Sequence, residues 1–228
     1  MRPFLQSASG RRNCFRPLLP TLGFWLLCGW LFSAGSAGGA KSFSSQVPSA
    51  AELDRDSWQQ PEKVMDSIGV KAGMTVGEVG AGNGYFTFKL AQRVGPDGLI
   101  YANDIDPNAL RNLQAGARQR KLKNIVTVRG EVADPLFPPG VMDLVIMVYV
   151  FHELAEPVKL LRNLKPSLRP NATLVILDRD PGKIHSTSGH YFDEEKILRL
   201  VAEAGYELVR METFLPRDNF YILRPKNS

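Results

Sequence analysis

From residue 60 onward the chain switches repeatedly between two periods. Short runs rich in Val, Ile and Leu are separated by stretches in which apolar residues recur every three to four positions. The runs predict strands over 74–79, 99–104, 125–129, 143–149, 173–178, 206–214 and 219–224. The longer periods predict helices over about 84–94, 107–120, 156–168 and 193–204. A further short helix over 60–68 is marked by Pro61 in its first turn and Gly69 just past its end. Strands that alternate with helices predict βαβ units and a parallel sheet covered on both faces. Only a turn around Pro216-Arg217-Asp218 joins the last two runs. A parallel crossover needs a dozen or more residues, so those two strands are expected to pair antiparallel. The fold class is therefore α/β: seven strands, mostly parallel, with helices on both faces and a C-terminal antiparallel hairpin.

Ahead of this region the pattern changes. Residues 2–16 are basic, Leu18 to Phe32 is apolar but broken by Pro20, Gly23 and Gly29, and small residues run from Ser33 to Ala40. That is the layout of a secretory signal, and its apolar part is shorter than the ~20 residues a bilayer span requires. Residues 1–40 are expected to be a targeting segment for an exported or periplasmic protein. A membrane anchor and a mitochondrial transit peptide are the alternatives, since the segment is Arg-rich and free of acids. Membrane contact is expected only through this segment if it stays uncleaved. Residues 41–57, polar and small, read as a linker, and 58–228 as one folded domain.

Charge and cysteine counts acquire meaning from this division. The whole chain carries 28 basic and 23 acidic residues, a net charge of +5. Arg2, Arg11, Arg12 and Arg16 lie in the first 40 residues, where no acid occurs, so 28 − 4 = 24 bases face 23 acids in the remainder, a net of +1. A near-neutral domain gives no electrostatic footprint for nucleic acid. Both cysteines, Cys14 and Cys28, also precede residue 41, so the domain has no thiol for a disulfide, a zinc site or a nucleophile. The histidines His152, His185 and His190 do not stand at metal-ligand spacing, and no metal site is expected.

Candidate chemistry centres on Val76-Gly77-Glu78-Val79-Gly80-Ala81-Gly82-Asn83-Gly84-Tyr85. A strand runs into a carboxylate, then into three alternate glycines, then into a helix. Glycines let the chain bend sharply and let a ligand approach closely. The helix start turns free N–H groups and a positive dipole end towards the bend. Glu78 at the carboxyl edge of its strand suits a cationic amine and would repel a pyrophosphate. A dinucleotide site of the pattern G-x-G-x-x-G would also need its third glycine one residue later, where Tyr85 stands.

Together, Glu78-x-Gly80-x-Gly82-x-Gly84 and the strand order resemble the class I S-adenosylmethionine (SAM) methyltransferases, over roughly residues 58–225. The resemblance implies a Rossmann-like seven-stranded sheet and SAM as cofactor. It places Tyr85 beside the glycine bend. It implies Asp104, in Tyr101-Ala102-Asn103-Asp104, as the acceptor of the ribose diol, with Ile105 along the adenine; a capping or turn role for Asp104 is the alternative. In Arg129-Gly130-Glu131-Val132-Ala133-Asp134, it implies Glu131 and the backbone of Val132 at the adenine edge, with Asp134 as second choice. The fourth strand ends in Val148-Tyr149-Val150-Phe151-His152-Glu153-Leu154. Its phrasing resembles small-molecule methyltransferases of ubiquinone and menaquinone biosynthesis, and its place beside the glycine strand puts Tyr149, Val150 and His152 near the methyl donor, with Val148 a further candidate for the cofactor. His152 titrates near neutrality and is the candidate general base, with Tyr149 beside it; a capping role for His152 stays open. Trp58, Asp178, His190 and Tyr191 are candidates to line an acceptor pocket.

The implied activity is methyl transfer from SAM to a small-molecule acceptor. A non-catalytic SAM-binding protein and a nicotinamide-dependent oxidoreductase are the alternatives, in that order. Protein recovered from its native cells is expected to begin within or just after the run Ser33 to Ala40, as read by N-terminal sequencing; an intact Met1 would overturn the cleaved-signal reading.

Overall fold

The computed structural model describes residues 49–226. The expected targeting segment over 1–40 and the first part of the expected linker, through residue 48, lie outside the described residues. Among the described residues, no helix is long and apolar enough to cross a membrane.

Seven strands form one sheet: β1 (Thr75–Val79), β2 (Leu99–Asp104), β3 (Ile125–Arg129), β4 (Met142–Val148), β5 (Leu168–Arg179), β6 (Tyr206–Glu212) and β7 (Asp218–Pro225). Their spatial order is β3-β2-β1-β4-β5-β7-β6. Neighbours from β3 through β5 pair in parallel. Strand β7 alone runs against the rest, inserted antiparallel between β5 and β6. The chain order reverses between β1 and β4, and open α/β sheets place their ligand crevice at such a switch.

Strand alternation divides the core into two layers. Along β4, Leu144, Ile146 and Val148 face one side, with Phe86 and Leu90 of α3 (Tyr85–Val94) and Leu113 of α4 (Pro107–Gln119). Val145 and Met147 face the other, with Leu160, Leu161 and Leu164 of α5 (Pro157–Leu164) and Ile197 and Val201 of α6 (Glu194–Glu203). Because β4 is covered on both faces it reads as a continuous apolar run.

Helix starts follow their capping chemistry. Asp106 accepts from the Asn108 N–H ahead of Pro107, and Asp193 accepts from the Lys196 N–H. Two boundaries differ from expectation. Helix α5 stops at Leu164 and tightens into a 3₁₀ turn over Lys165–Ser167, because Pro166 supplies no N–H to an α-helix. Strand β5 starts at Leu168, earlier than expected, with an irregularity before Thr173 where Asn171 takes φ 66°.

The larger difference is at the N-terminal side. Residues expected to belong to a linker form α1 (Ala50–Gln59), followed by α2 (Pro61–Ser67) after a left-handed Gln60. Ser49 and Glu52 make a reciprocal capping box: the Ser49 N–H donates to Glu52 Oε2 at 2.8 Å, and the Glu52 N–H donates to Ser49 Oγ at 3.2 Å.

A test of the packing lies at Tyr206, which is fully buried at the start of β6. Its hydroxyl donates to the Leu161 carbonyl at 2.9 Å, one of the carbonyls left orphaned where α5 ends, since the Lys165 N–H turns to Arg162 instead. Tyr206→Phe leaves that acceptor unsatisfied and is expected to cost about 1–3 kcal/mol in urea denaturation.

Candidate functional site

The bend after β1 is built around one buried acid. Glu78 is 2% exposed at the strand's carboxyl end. Its Oε2 accepts from Thr87 Oγ1 at 2.5 Å, which ties β1 to the first turns of α3. Burial pushes the Glu78 carboxyl up from 4.5 to about 8, against the lowering effects of the Thr87 hydrogen bond and the Arg55 charge. Gly80, Gly82 and Gly84 all have positive φ. A Cβ on Gly80 would strike Val150, whereas a Cβ on Gly82 would meet nothing within 4 Å. Gly82 therefore keeps open space beside the acid rather than fitting against protein.

Two clefts flank this bend and share Gly80 and Tyr149 in their walls. The first, of about 380 Å³, is lined by Glu78, Gly82, Tyr85 and Val148 and closed by Arg55 of α1. The second, of about 310 Å³, is lined by Asp104, Ile105, Glu131, Val132 and Glu153. Asp104 sits between the two: its Oδ2 accepts from the Gly82 N–H at 2.8 Å and its Oδ1 from the Asp106 N–H at 2.9 Å. A carboxylate has about four acceptor positions, so further donors can still be received. Ile105 and Val132 are 56% and 51% exposed, a pair of bare apolar surfaces in one cleft. Of the two acids after β3, Glu131 lines this cleft, while Asp134 turns away to accept from the Leu136 N–H at 2.8 Å.

Arg55 was not foreseen, because its helix was read as linker. Its guanidinium stands 3.8 Å above the Tyr85 ring. The Tyr85 hydroxyl donates to Asp56, and Lys89 pairs with the same acid at 2.8 Å. The capping box at Ser49 was the available signal for α1.

Tyr149 occupies the hinge of the site in a left-handed conformation, φ 59°. Its hydroxyl donates to the buried Asp218 at 2.5 Å, and its ring stacks on Trp58 with centroids 6.2 Å apart. Burial, then the Asp218 charge, raises the phenol well above its ordinary range. Tyr149, a catalytic candidate from the sequence, therefore has its hydroxyl engaged by Asp218, and its ring serves as a wall. Arg179 lies 4.9 Å from the Tyr149 ring and Arg217 lies 4.7 Å from Trp58.

His152 and Asp178 also depart from expectation. Asp178, 2% exposed, does not face an acceptor. It takes His152 Nδ1 at 2.6 Å and the backbone N–H groups of His152 and Arg179 at 3.2 and 2.8 Å. The other ring nitrogen, Nε2, is 3.2 Å from Glu153 Oε1. Burial lowers the His152 pKa, but Asp178 and Glu153 outweigh it, and the net shift is upward. With both nitrogens engaged and its side chain 5% exposed, His152 lines neither cleft and offers no free base there. His190 and Tyr191 pack on its ring, with centroids 5.1 and 4.9 Å away. His190 Nε2 reaches Glu153 Oε1 at 3.0 Å, so the fold brings His190 to the adjacent pair His152 and Glu153. Histidine spacing alone gave no sign of this cluster.

A family model described as a methyltransferase domain matches residues 70–205, more than half of the chain. Nocamycin O-methyltransferase of Saccharothrix syringae is 35% identical over 83 residues, covering 36% of this chain and 30% of that protein. The demethylmenaquinone methyltransferase of a Geobacillus strain is 25% identical over 117 residues, covering 51% and 50%. The chain thus spans about half, or less, of the length of these curated relatives. A solved SAM-dependent methyltransferase from Aquifex aeolicus superposes with a TM-score of 0.70 at 28% identity, over 75% of this chain and 92% of that one.

The Glu78 carboxyl gives a pH test. In the folded chain it keeps its proton up to about 8, whereas an unfolded glutamate releases it near its ordinary 4.5. Between those values the folded state binds more protons, so stability contributed by Glu78 is present at low pH and is lost as pH rises through the window. Glu78→Gln is expected to flatten the fall by up to about 1.4 kcal/mol per pH unit in denaturation curves of ligand-free protein. An unchanged slope would mean that the carboxyl ionises normally.

Proposed function

Since the chain belongs to the methyltransferase-domain family, in its class I SAM-dependent form, we propose that it transfers the methyl group of SAM to a small-molecule acceptor. The observation that carries this reading is the pair of joined clefts, one ending on a buried acid beside open glycine space and the other on an acid between two bare apolar side chains.

The residues present fit the group. SAM carries an α-ammonium, an α-carboxylate, a ribose diol and a purine. Glu78 suits the ammonium and Arg55, in the same cleft, suits the carboxylate. Asp104 retains lone pairs for the diol. Ile105 and Val132 offer apolar faces for the ring, with Glu131 in the same wall to accept from its amine. When bound, SAM supplies a methyl group already activated on a sulfonium sulfur.

The work left to the chain is binding, alignment and exclusion of water. Gly80 and Tyr149, common to both clefts, form the wall where those tasks meet. Asp218 locks the Tyr149 ring against Trp58, which fixes that wall. Alignment of this kind can supply ~7–11 kcal/mol of barrier reduction. The Trp58–Tyr149 stack with Arg179 and Arg217 beside it favours a flat, anionic or electron-rich organic acceptor over a cationic one. The matched relatives' names specify small molecules, nocamycin and demethylmenaquinone chemistry, which supports the same class.

Incubation with methyl-labelled SAM and a fractionated small-molecule extract of the native cells is expected to give one labelled low-mass product; label confined to macromolecules would overturn the acceptor class. Gly82→Val directs its side chain into open cleft rather than into protein. It is expected to weaken SAM binding at least tenfold, about 1.4 kcal/mol, in calorimetry. Undiminished affinity in a folded variant would refute the placement of the site.

A further inference from the structure

We infer that His152, Glu153 and His190 form a binding site for one divalent transition-metal ion of the zinc class. Three observations converge on it: the hydrogen-bond pattern around His152, the meeting of three donor atoms, and a buried acid behind the first ligand.

Asp178 accepts from the backbone N–H groups of His152 and Arg179 and stands 2.6 Å from His152 Nδ1. A carboxylate in that setting accepts only, so Nδ1 carries a hydrogen, and a cation that displaces the proton from Nε2 meets the ring's lone pair there. That lone pair faces Glu153 Oε1 at 3.2 Å. Positive charge is favoured between the two, as a proton or as a cation. Here a third group arrives: His190 Nε2 lies 3.0 Å from the same carboxylate oxygen. The three candidate ligand atoms lie within 4.8 Å of one another. Bound to zinc at about 2.0–2.1 Å in tetrahedral geometry, neighbouring ligand atoms stand about 3.3–3.4 Å apart. The two separations from Glu153 Oε1 are within a few tenths of an ångström of that edge, and the two imidazole nitrogens stand within 4.8 Å of each other. Side-chain adjustment closes the difference, since Glu153 and His190 are 55% and 53% exposed.

Asp178 completes the pattern. A metal-bound histidine almost always donates its second nitrogen to a carboxylate or carbonyl, which fixes the tautomer and ring orientation. Asp178 is 2% exposed and already in that position. Imidazole, imidazole and carboxylate form a donor set suited to zinc and its neighbours rather than to magnesium or calcium. Three protein ligands also leave a coordination position open for water or an acceptor oxygen. Glu153 lines the second cleft, so the ion would stand at the rim of the ligand site and fasten the segment bearing His190 and Tyr191 to the end of β4.

The test uses the full chain without a histidine tag, with Cys14→Ser and Cys28→Ser so that those thiols cannot ligate. After chelator treatment it is titrated with Zn²⁺ in a calorimeter and with Co²⁺ by visible absorption. One equivalent per chain is expected, with the intense bands of low-coordinate Co²⁺. His190→Ala and Glu153→Gln should each weaken uptake at least tenfold. Asp178→Asn should weaken it about 10–100-fold through His152, while His185→Ala, outside the cluster, should leave it unchanged. Since Asp178 is buried and its variant can fail to fold, the exposed His190 carries the decision, with circular dichroism confirming the fold. No saturable uptake at one equivalent, or uptake equally tight in His190→Ala, overturns the site. SAM calorimetry on the same samples separates this outcome from failure of the methyltransferase reading, because the two bind different residues.

Discussion

The site depends on a carboxyl group taken out of water at the end of β1. Among the described residues, Glu78 has a single hydrogen-bond donor, Thr87, and that bond spans the whole glycine bend. Its energetic position is awkward: a buried charge with one partner costs several kcal/mol, which is why the proton is retained to about 8. A cationic amine entering the cleft changes that balance, because it offers the charge that burial denies. The acid is thus held in readiness by the fold, with Thr87 setting its orientation and Gly82 keeping the approach clear. Moving either would loosen the relation between β1 and α3 on which both clefts rest.

Much of this was legible because it is local. A strand, an acid and three glycines are contiguous, and their consequence follows from backbone geometry alone. The strand order followed from element alternation and from the short turn before β7. Legibility ended where contacts are distant in sequence. His152 looked like a free base because nothing nearby disclosed Asp178, which arrives from β5; Glu153, its neighbour in the chain, takes the other nitrogen and pairs in turn with the distant His190. Tyr149 looked reactive until Asp218, from the last strand, was found holding its hydroxyl. Asp178 was read as facing a substrate, and burial behind His152 turned it into a support. Helix α1 is a different failure. Its capping box was visible at Ser49 and Glu52, but its mostly polar residues concealed it, and Arg55 went with it.

Each acid in the site has a distinct task set by its surroundings rather than by its type. Glu78 is buried and protonated, Asp104 is half-buried and held by two backbone donors, Asp178 is buried but orients an imidazole, and Asp218 fixes a phenol. All four lie at or beside strand ends along one edge of the sheet, where the parallel topology collects them.

Helix α1 buries only Gln59. Its remaining attachments are side-chain reach: Arg55 over Tyr85, Asp56 to Tyr85 and Lys89, Trp58 on Tyr149, and Glu52 to Arg120. Lifting it exposes little apolar core, so its detachment costs far less than unfolding the sheet. Its departure would open the cleft that Arg55 closes and leave the β-scaffold undisturbed.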